Sequence, residues 1–263
     1  MSSLTHTLTD SSTMLRRNLL HARRYPSLTL IVAAIPIIFL LVFVFVLGDT
    51  LGAGIGGSTG GRGEYLEYVI PGILLMGIAG GAQGTAISVA MDMTEGIIAR
   101  FRTMAISRAA VLTGHVLGSL IQTMIGITVV IGVALAIGFR PNANPVEWLG
   151  AILMLALVTF ALTWLSVAMG MRCKTVEGAS NLPMPLMLLP FFGSAFVPTD
   201  SMPAGVSWFA ANQPFTPIIE TLRGLLTGTP IGNDWIIAIG WCLLIAAIGY
   251  AWARSSYNRD HTG

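Results

Sequence analysis

A chain of 263 residues that is 54% hydrophobic and only 10% charged, with mean hydropathy +0.77, lies outside the composition of soluble domains. Its length suits several membrane crossings of roughly 20 apolar residues each better than one or two soluble domains. The net charge of +2 names no partner; the positions of the charges carry the information.

Residues 1–26 form a polar lead. Asp10, Ser11 and Ser12 offer helix caps, and Met14, Leu15, Asn18, Leu19 and Ala22 trace an apolar face flanked by Arg16, Arg17, Arg23 and Arg24. Pro26 interrupts the chain before the first apolar run. An interfacial helix on the inner leaflet fits this pattern; the alternative is a solvated basic tail that enforces topology.

Six uncharged stretches follow, at 27–48, 68–91, 109–139, 148–171, 179–199 and 235–253. Each can cross roughly 30 Å of hydrocarbon as a helix. The runs are continuously apolar rather than alternating, which excludes a transmembrane barrel. The first is too long for a typical signal core and lacks a clear cleavage site, so it reads as a retained helix. The expected fold is an all-α integral membrane protein with six transmembrane helices, one domain over 1–263: the lead, a membrane region 27–253 and a cytosolic tail 254–263.

The segment 49–67 is dense in glycine (Gly52, Gly54, Gly56, Gly57, Gly60, Gly61, Gly63) and reads as a flexible outer loop. The second run carries Gly77, Gly80, Gly81 and Gly84 beside Gln83, and the third carries Gly114 and Gly118. Small residues four apart allow close helix approach, within the subunit or at a dimer seam, and packing within the subunit is the simpler reading.

Between the second and third runs lies a charged island, Glu95-Gly-Ile-Ile-Ala-Arg-Phe-Arg-Thr-Met-Ala-Ile-Ser-Arg108. At about 100° per residue, Ile97, Ile98, Phe101, Met104 and Ala105 share one side of a helix, with Arg100, Arg102 and Thr103 outside that arc. A loop that only returned the chain to the bilayer would not need this amphipathic pattern. It suits a surface held by a cytosolic partner.

The fifth run contains Pro183, Pro185 and Pro190, with Pro198 at its outer end, so it must kink or unwind. Met184, Met187, Leu188 and Phe192 make its surroundings apolar and deformable. With Gln83 they are candidates to line a hydrophobic substrate path; plain lipid-facing packing is the alternative. Residues 200–234 are too apolar for a free loop, and two short helices dipping back into the outer leaflet fit them. There Glu220 and Arg223, three apart, can neutralise each other.

Placing the N-terminus inside puts eleven Lys and Arg in inner segments and three (Arg62, Arg140, Arg223) in outer ones, accounting for all fourteen. Both termini are then cytosolic. The chain has one lysine, Lys174, with no Gly-rich phosphate loop before it, so ATP hydrolysis would fall to another chain. Nothing resembles a Ser–His or paired-Asp membrane protease, and Ser88, Ser119 and Ser166 read as packing hydroxyls. Cys173 and Cys242 show no metal-ligand spacing with any histidine and read as unpaired thiols. All twelve acids lie in loops or near span ends, which disfavours a carboxylate relay.

The six-span plan resembles the type 2 ABC exporter permeases, in particular the daunorubicin-resistance-like drug and lipid exporters, over essentially the whole chain. The resemblance rests on the 95–108 island, on Asn212-Gln-Pro-Phe-Thr-Pro-Ile-Ile-Glu-Thr-Leu-Arg-Gly-Leu-Leu226, and on the proline-bearing stretch from Asn181 to Pro198. It implies that the island is a coupling helix seated in a separate ATP-binding subunit, with Glu95, Gly96, Ile97, Arg100, Phe101, Arg102, Met104 and Arg108 engaged in coupling. It also implies that 10–25 is a connecting helix and that Asn212, Pro214, Thr216, Glu220 and Arg223 belong to re-entrant outer helices. Ala105 departs from the family, in which many members carry proline before the Ile-Ser-Arg. The implied assembly has two permeases, as a homodimer or with a related permease, and two cytosolic ABC ATPase subunits that carry ATP and Mg. This chain would then sit in a prokaryotic cell membrane, move a hydrophobic or amphipathic substrate, bind no cofactor, metal or nucleic acid, and perform no covalent chemistry. A secondary carrier not driven by ATP, and a scaffold or immunity protein without transport, are the competing classes.

Overall fold

The computed structural model describes residues 26–55, 61–94, 108–173 and 175–259. The lead helix at 10–25 and the coupling island up to residue 107 lie outside the described residues, and Arg108 opens the helix that follows. Among the described residues every regular element is helical. In chain order they are α1 (Pro26–Phe45), α2 (Gly48–Ile55), α3 (Arg62–Thr94), α4 (Arg108–Ala136) and α5 (Pro145–Arg172). After them come α6 (Val176–Asn181), α7 (Met184–Leu188), two 3-10 turns at Leu189–Phe192 and Thr199–Ser201, α8 (Ala204–Asn212), α9 (Phe215–Thr227) and α10 (Asp234–Arg259).

Four helices, α3, α4, α5 and α10, are long and apolar enough to cross a membrane. A fifth crossing is available if α1 and α2, bent by 69° at their junction, act as one span. The 179–199 run is interrupted, in keeping with the kink or unwinding expected from its prolines. Pro183, Pro185 and Pro190 remove backbone donors there, and the segment divides into α6, α7 and a 3-10 turn. Backbone freed in this way is tolerated at membrane depth only where protein covers it.

The Gly-rich 49–67 segment differs from the expectation of a loop. Gly48–Ile55 is helical, and α3 already begins at Arg62. Two contacts between its ends account for this. The Arg62 guanidinium donates to Asp49 Oδ2 at 2.9 Å and lies 5.3 Å over the Phe45 ring. Gly52 has no Cβ, and one built there would lie 2.5 Å from Gly61 O, so only glycine lets these stretches of backbone meet.

α3 is the axis of the fold. It packs against α1, α4, α5, α6 and α9. Its apolar window is 72% buried, against 28% for that of α10, which lies along α5 at the periphery. With 33 residues α3 is about 50 Å long and outreaches the hydrocarbon. Its glycines divide by role: Gly81 faces Thr123 of α4 and Gly77 faces Pro36 of α1, whereas Gly80 and Gly84 meet nothing within 4 Å. Other close approaches were not singled out in sequence. Gly170 of α5 rests on the Ala86 backbone of α3, and Gly249 of α10 rests on the Trp164–Leu165 backbone of α5.

Local signals set the ends of α5 and α9. Asn144 Oδ1 accepts from the amides of Val146 and Glu147 at 2.9 Å each, and Glu147 Oε2 accepts from the Asn144 amide at 2.7 Å, a reciprocal capping box before Pro145. Gly228 closes α9 at φ 75°, a left-handed conformation that favours glycine.

Candidate functional site

One end of the molecule is built around Arg223. The 218–226 stretch of α9 turns Ile218, Ile219, Leu222 and Leu226 into the core, which leaves Arg223 at the margin of that face. Its Nη1 donates to Glu220 Oε1 at 2.6 Å, the i,i+3 pair anticipated from spacing. Its other contacts are long-range. Nη2 donates to Ser194 O at 2.6 Å and to Tyr68 O at 3.2 Å, and the guanidinium lies 3.8 Å over the Tyr68 ring. One side chain therefore joins α9, α3 and the end of the broken segment.

The turn between α8 and α9 supplies a second anchor. Gln213 Nε2 donates to Leu189 O at 3.2 Å and to Thr216 Oγ1 at 3.3 Å, and Thr216 donates to Ala210 O at 2.6 Å. Asn212 Nδ2 donates to Trp208 O at 2.7 Å, and Pro214 caps α9. Gly193 makes this turn possible, since any Cβ there would collide with Gln213 and lie 2.9 Å from Thr216 Oγ1. Of the five candidate residues here, Thr216, Glu220 and Arg223 bond across the turn or within α9, while Asn212 and Pro214 shape the backbone.

An aromatic cluster holds α1 against the same broken segment. Phe196 stacks on Phe43 and Phe191 with centroids 4.4 and 4.6 Å apart, and Phe39 meets Phe191 edge-on at 5.9 Å. Sequence reasoning missed these rings because the partners lie about 150 positions apart.

The five substrate-path candidates do not converge on a single point. Met184, Leu188 and Phe192 are about half exposed along one side of the broken segment, with Met187 partly covered. Phe192 meets Phe209 of α8 edge-on at 6.4 Å. Gln83 instead braces the fold, since its Nε2 donates to Ser180 O at 2.6 Å and so ties α3 to α6. That bond satisfies a carbonyl near the end of a helix only six residues long.

Where the chain passes from α3 to α4, a histidine and a carboxylate meet in a largely buried contact. Asp92 lies in the last turn of α3 and His115 two turns into α4. His115 Nε2 is 3.1 Å from Asp92 Oδ2, with side chains 7% and 13% exposed. Val89, Leu112, Val116, Trp164 and Met171 form the adjoining apolar cluster. Sequence analysis placed Asp92 among the acids in loops or near span ends and gave no sign that it meets His115. The coupling candidates Glu95, Gly96, Ile97, Arg100, Phe101, Arg102 and Met104 lie outside the described residues, directly between these two helices in the chain. Cys173 caps α5 as a free, half-buried thiol, and burial pushes its pKa up, which favours the protonated form.

Comparison with known proteins accords with this architecture. The chain is 25% identical to the daunorubicin resistance ABC transporter permease protein DrrB1 of Streptomyces coeruleorubidus, over 88% of this chain and 79% of that protein. It is 26% identical to the probable doxorubicin resistance ABC transporter permease protein DrrC of Mycobacterium tuberculosis, over 91% of this chain and 88% of that protein. A more distant similarity, 22% identity, links 70% of the chain to 26% of the ABC transporter G family member 20 of Dictyostelium discoideum. The family model for the ABC-2 type transporter matches residues 9–227, most of the molecule, and the chain belongs to that family.

Proposed function

We propose that this chain is the membrane-spanning permease subunit of an ATP-driven exporter that moves a hydrophobic or amphipathic substrate out of the cytoplasm or the inner leaflet. The observation that carries the reading is the amphipathic, basic island at 95–108, set between α3 and α4 in a chain that has no phosphate-binding loop of its own. In this reading the island seats in a cytosolic ATPase subunit, which binds ATP and Mg. Two permease copies, or this chain and a related permease, pair with two ATPases. Closure of the ATPase pair pushes the two islands and narrows the space between the permeases, and the permease itself makes or breaks no covalent bond.

The broken 176–201 segment serves as the fifth of six crossings, which leaves both termini cytosolic and matches the distribution of Lys and Arg. α8 and α9 are then the re-entrant outer helices. The half-exposed strip of Met184, Leu188 and Phe192 offers an apolar surface to the moving substrate. The relatives' names make daunorubicin a suitable probe, in the cell membrane of a prokaryote.

The double variant Phe101→Ala/Arg102→Glu tests the reading. We expect it to lose co-purification with the partner ATPase and daunorubicin efflux together. Unchanged assembly with unchanged transport-coupled hydrolysis overturns the coupling assignment. Efflux abolished by a proton uncoupler yet indifferent to loss of the ATPase supports a secondary carrier instead.

A further inference from the structure

α3 and α4 are stapled by three contacts spread along their length. Running antiparallel, they pair Gly81 with Thr123, Thr85 with Ser119, and Asp92 with His115. The first is a backbone-to-side-chain approach in which any Cβ on Gly81 would collide with Thr123. The second is a hydroxyl–hydroxyl hydrogen bond, with Thr85 also donating to Gly81 O at 3.0 Å. The third is the His115 Nε2–Asp92 Oδ2 contact at 3.1 Å, the last rung before the chain leaves α3. Apolar pairs would let two membrane helices slide or splay, because lipid is as apolar as their contact; polar rungs fix their spacing and register.

We propose that Asp92 and His115 are positioning residues for coupling. Their pair locks the inner ends of α3 and α4 into one lever, so that force applied to the segment 95–107 moves both helices together. The idea rests on the reading of that segment as the coupling helix. Asp92 stands three positions before it and His115 eight positions after residue 107. Without the pair, the ATPase stroke would be absorbed by splaying of the two helix ends. Burial matters here: at 7% and 13% exposure the bond is sheltered from water that would otherwise compete for both groups. The remaining rungs, Thr85–Ser119 and Gly81–Thr123, keep the helices together deeper in the membrane, so loss of the inner rung loosens the lever without unfolding the hairpin.

The test compares Asp92→Ala, His115→Ala, the double alanine variant and the exchange Asp92→His/His115→Asp, each reconstituted with the partner ATPase. Daunorubicin moved per ATP hydrolysed is the readout, and co-purification with the ATPase is the check on assembly. Each single variant is expected to lower that ratio about tenfold with assembly intact, within the range found for residues that modulate coupling. The double variant should cost no more than a single one, and the exchange should recover most of the ratio. An unchanged ratio in the single variants, additive losses in the double, or no recovery in the exchange overturns the proposal. If the alanine variants fail to accumulate, Asp92→Leu and His115→Phe replace them; failure of those and of the exchange to accumulate assigns the pair a purely structural role and also overturns it. The coupling reading fails separately, through Phe101→Ala/Arg102→Glu. Loss of coupling in that variant, with an undisturbed ratio in the Asp92 and His115 variants, refutes the lever alone.

Discussion

The α5–α10 pair and the broken 176–201 segment solve the same problem in opposite ways. α5 and α10 are unbroken, so nearly every backbone group is satisfied inside its own helix, and what joins them is shape: Gly249 lets the α10 backbone rest on Trp164 and Leu165. The broken segment has lost that self-sufficiency to its prolines. Its free carbonyls are met by side chains from elsewhere, Ser180 O by Gln83, Leu189 O by Gln213 and Ser194 O by Arg223. Within one membrane protein, then, the α5–α10 contact rests on steric fit, whereas the interrupted segment also needs hydrogen bonds from its neighbours.

The sharpest way to break that contrast is Gly249→Val. Its Cβ would lie 2.5 Å from Leu165 N and 2.7 Å from Trp164 C, backbone atoms that cannot turn aside. A loss of about 3 kcal/mol is expected from overpacking, read as a large drop in thermal midpoint of the purified protein. Gly80→Ala, which meets nothing within 4 Å, should stay within about 0.5 kcal/mol of the parent. Equal losses at both positions would sink the steric account.

Next in size is Arg223→Met, which keeps the stem but removes the donors to Ser194 O, Tyr68 O and Glu220. A cost of about 2 kcal/mol is expected, since bonds from a charged donor are the stronger kind. Amide exchange should accelerate over 189–196 and stay unchanged in α5; uniform acceleration would mean that the anchor is not local. Gln213→Leu should cost less than Arg223→Met, about 1 kcal/mol. It orphans Leu189 O, but it also removes Gln213 Oε1, a buried acceptor with no hydrogen-bond partner among the described residues. A loss larger than that of Arg223→Met would reverse the ranking of the two anchors.

Periodicity and punctuation made the long spans legible. Continuous apolar runs marked α3, α4, α5 and α10, and the prolines announced that 179–199 could not stay helical. The apolar composition of 200–234 foretold two short helices, and spacing alone foretold the Glu220–Arg223 pair. What stayed hidden depends on partners far along the chain. Glycine-rich 49–67 read as loop because local propensity cannot see Asp49 reaching Arg62 or Gly52 seating Gly61. Arg223 gave no sign of its bond to Tyr68 O, 155 positions away, and Asp92 and His115 are apparent only once α3 and α4 are set side by side.

The burial of α3 bears on how the molecule can be made. Of the four long helices it has the lowest mean hydropathy, because protein rather than lipid covers its Gly72, Gly77, Gly81, Gln83 and Thr85. During synthesis, however, α3 emerges long before α5 and α9, the helices that will shield it. As an isolated segment it is the weakest candidate for release into lipid. Among the described helices, α1 and α2 precede it, and α1 offers Leu40, Val44 and the flank of Pro36 opposite Gly77. The helix that organises the finished fold is thus the one most dependent on a companion when it enters the membrane. Substitutions on the facing side of α1 should therefore act first on insertion and yield, before any effect on transport can be read.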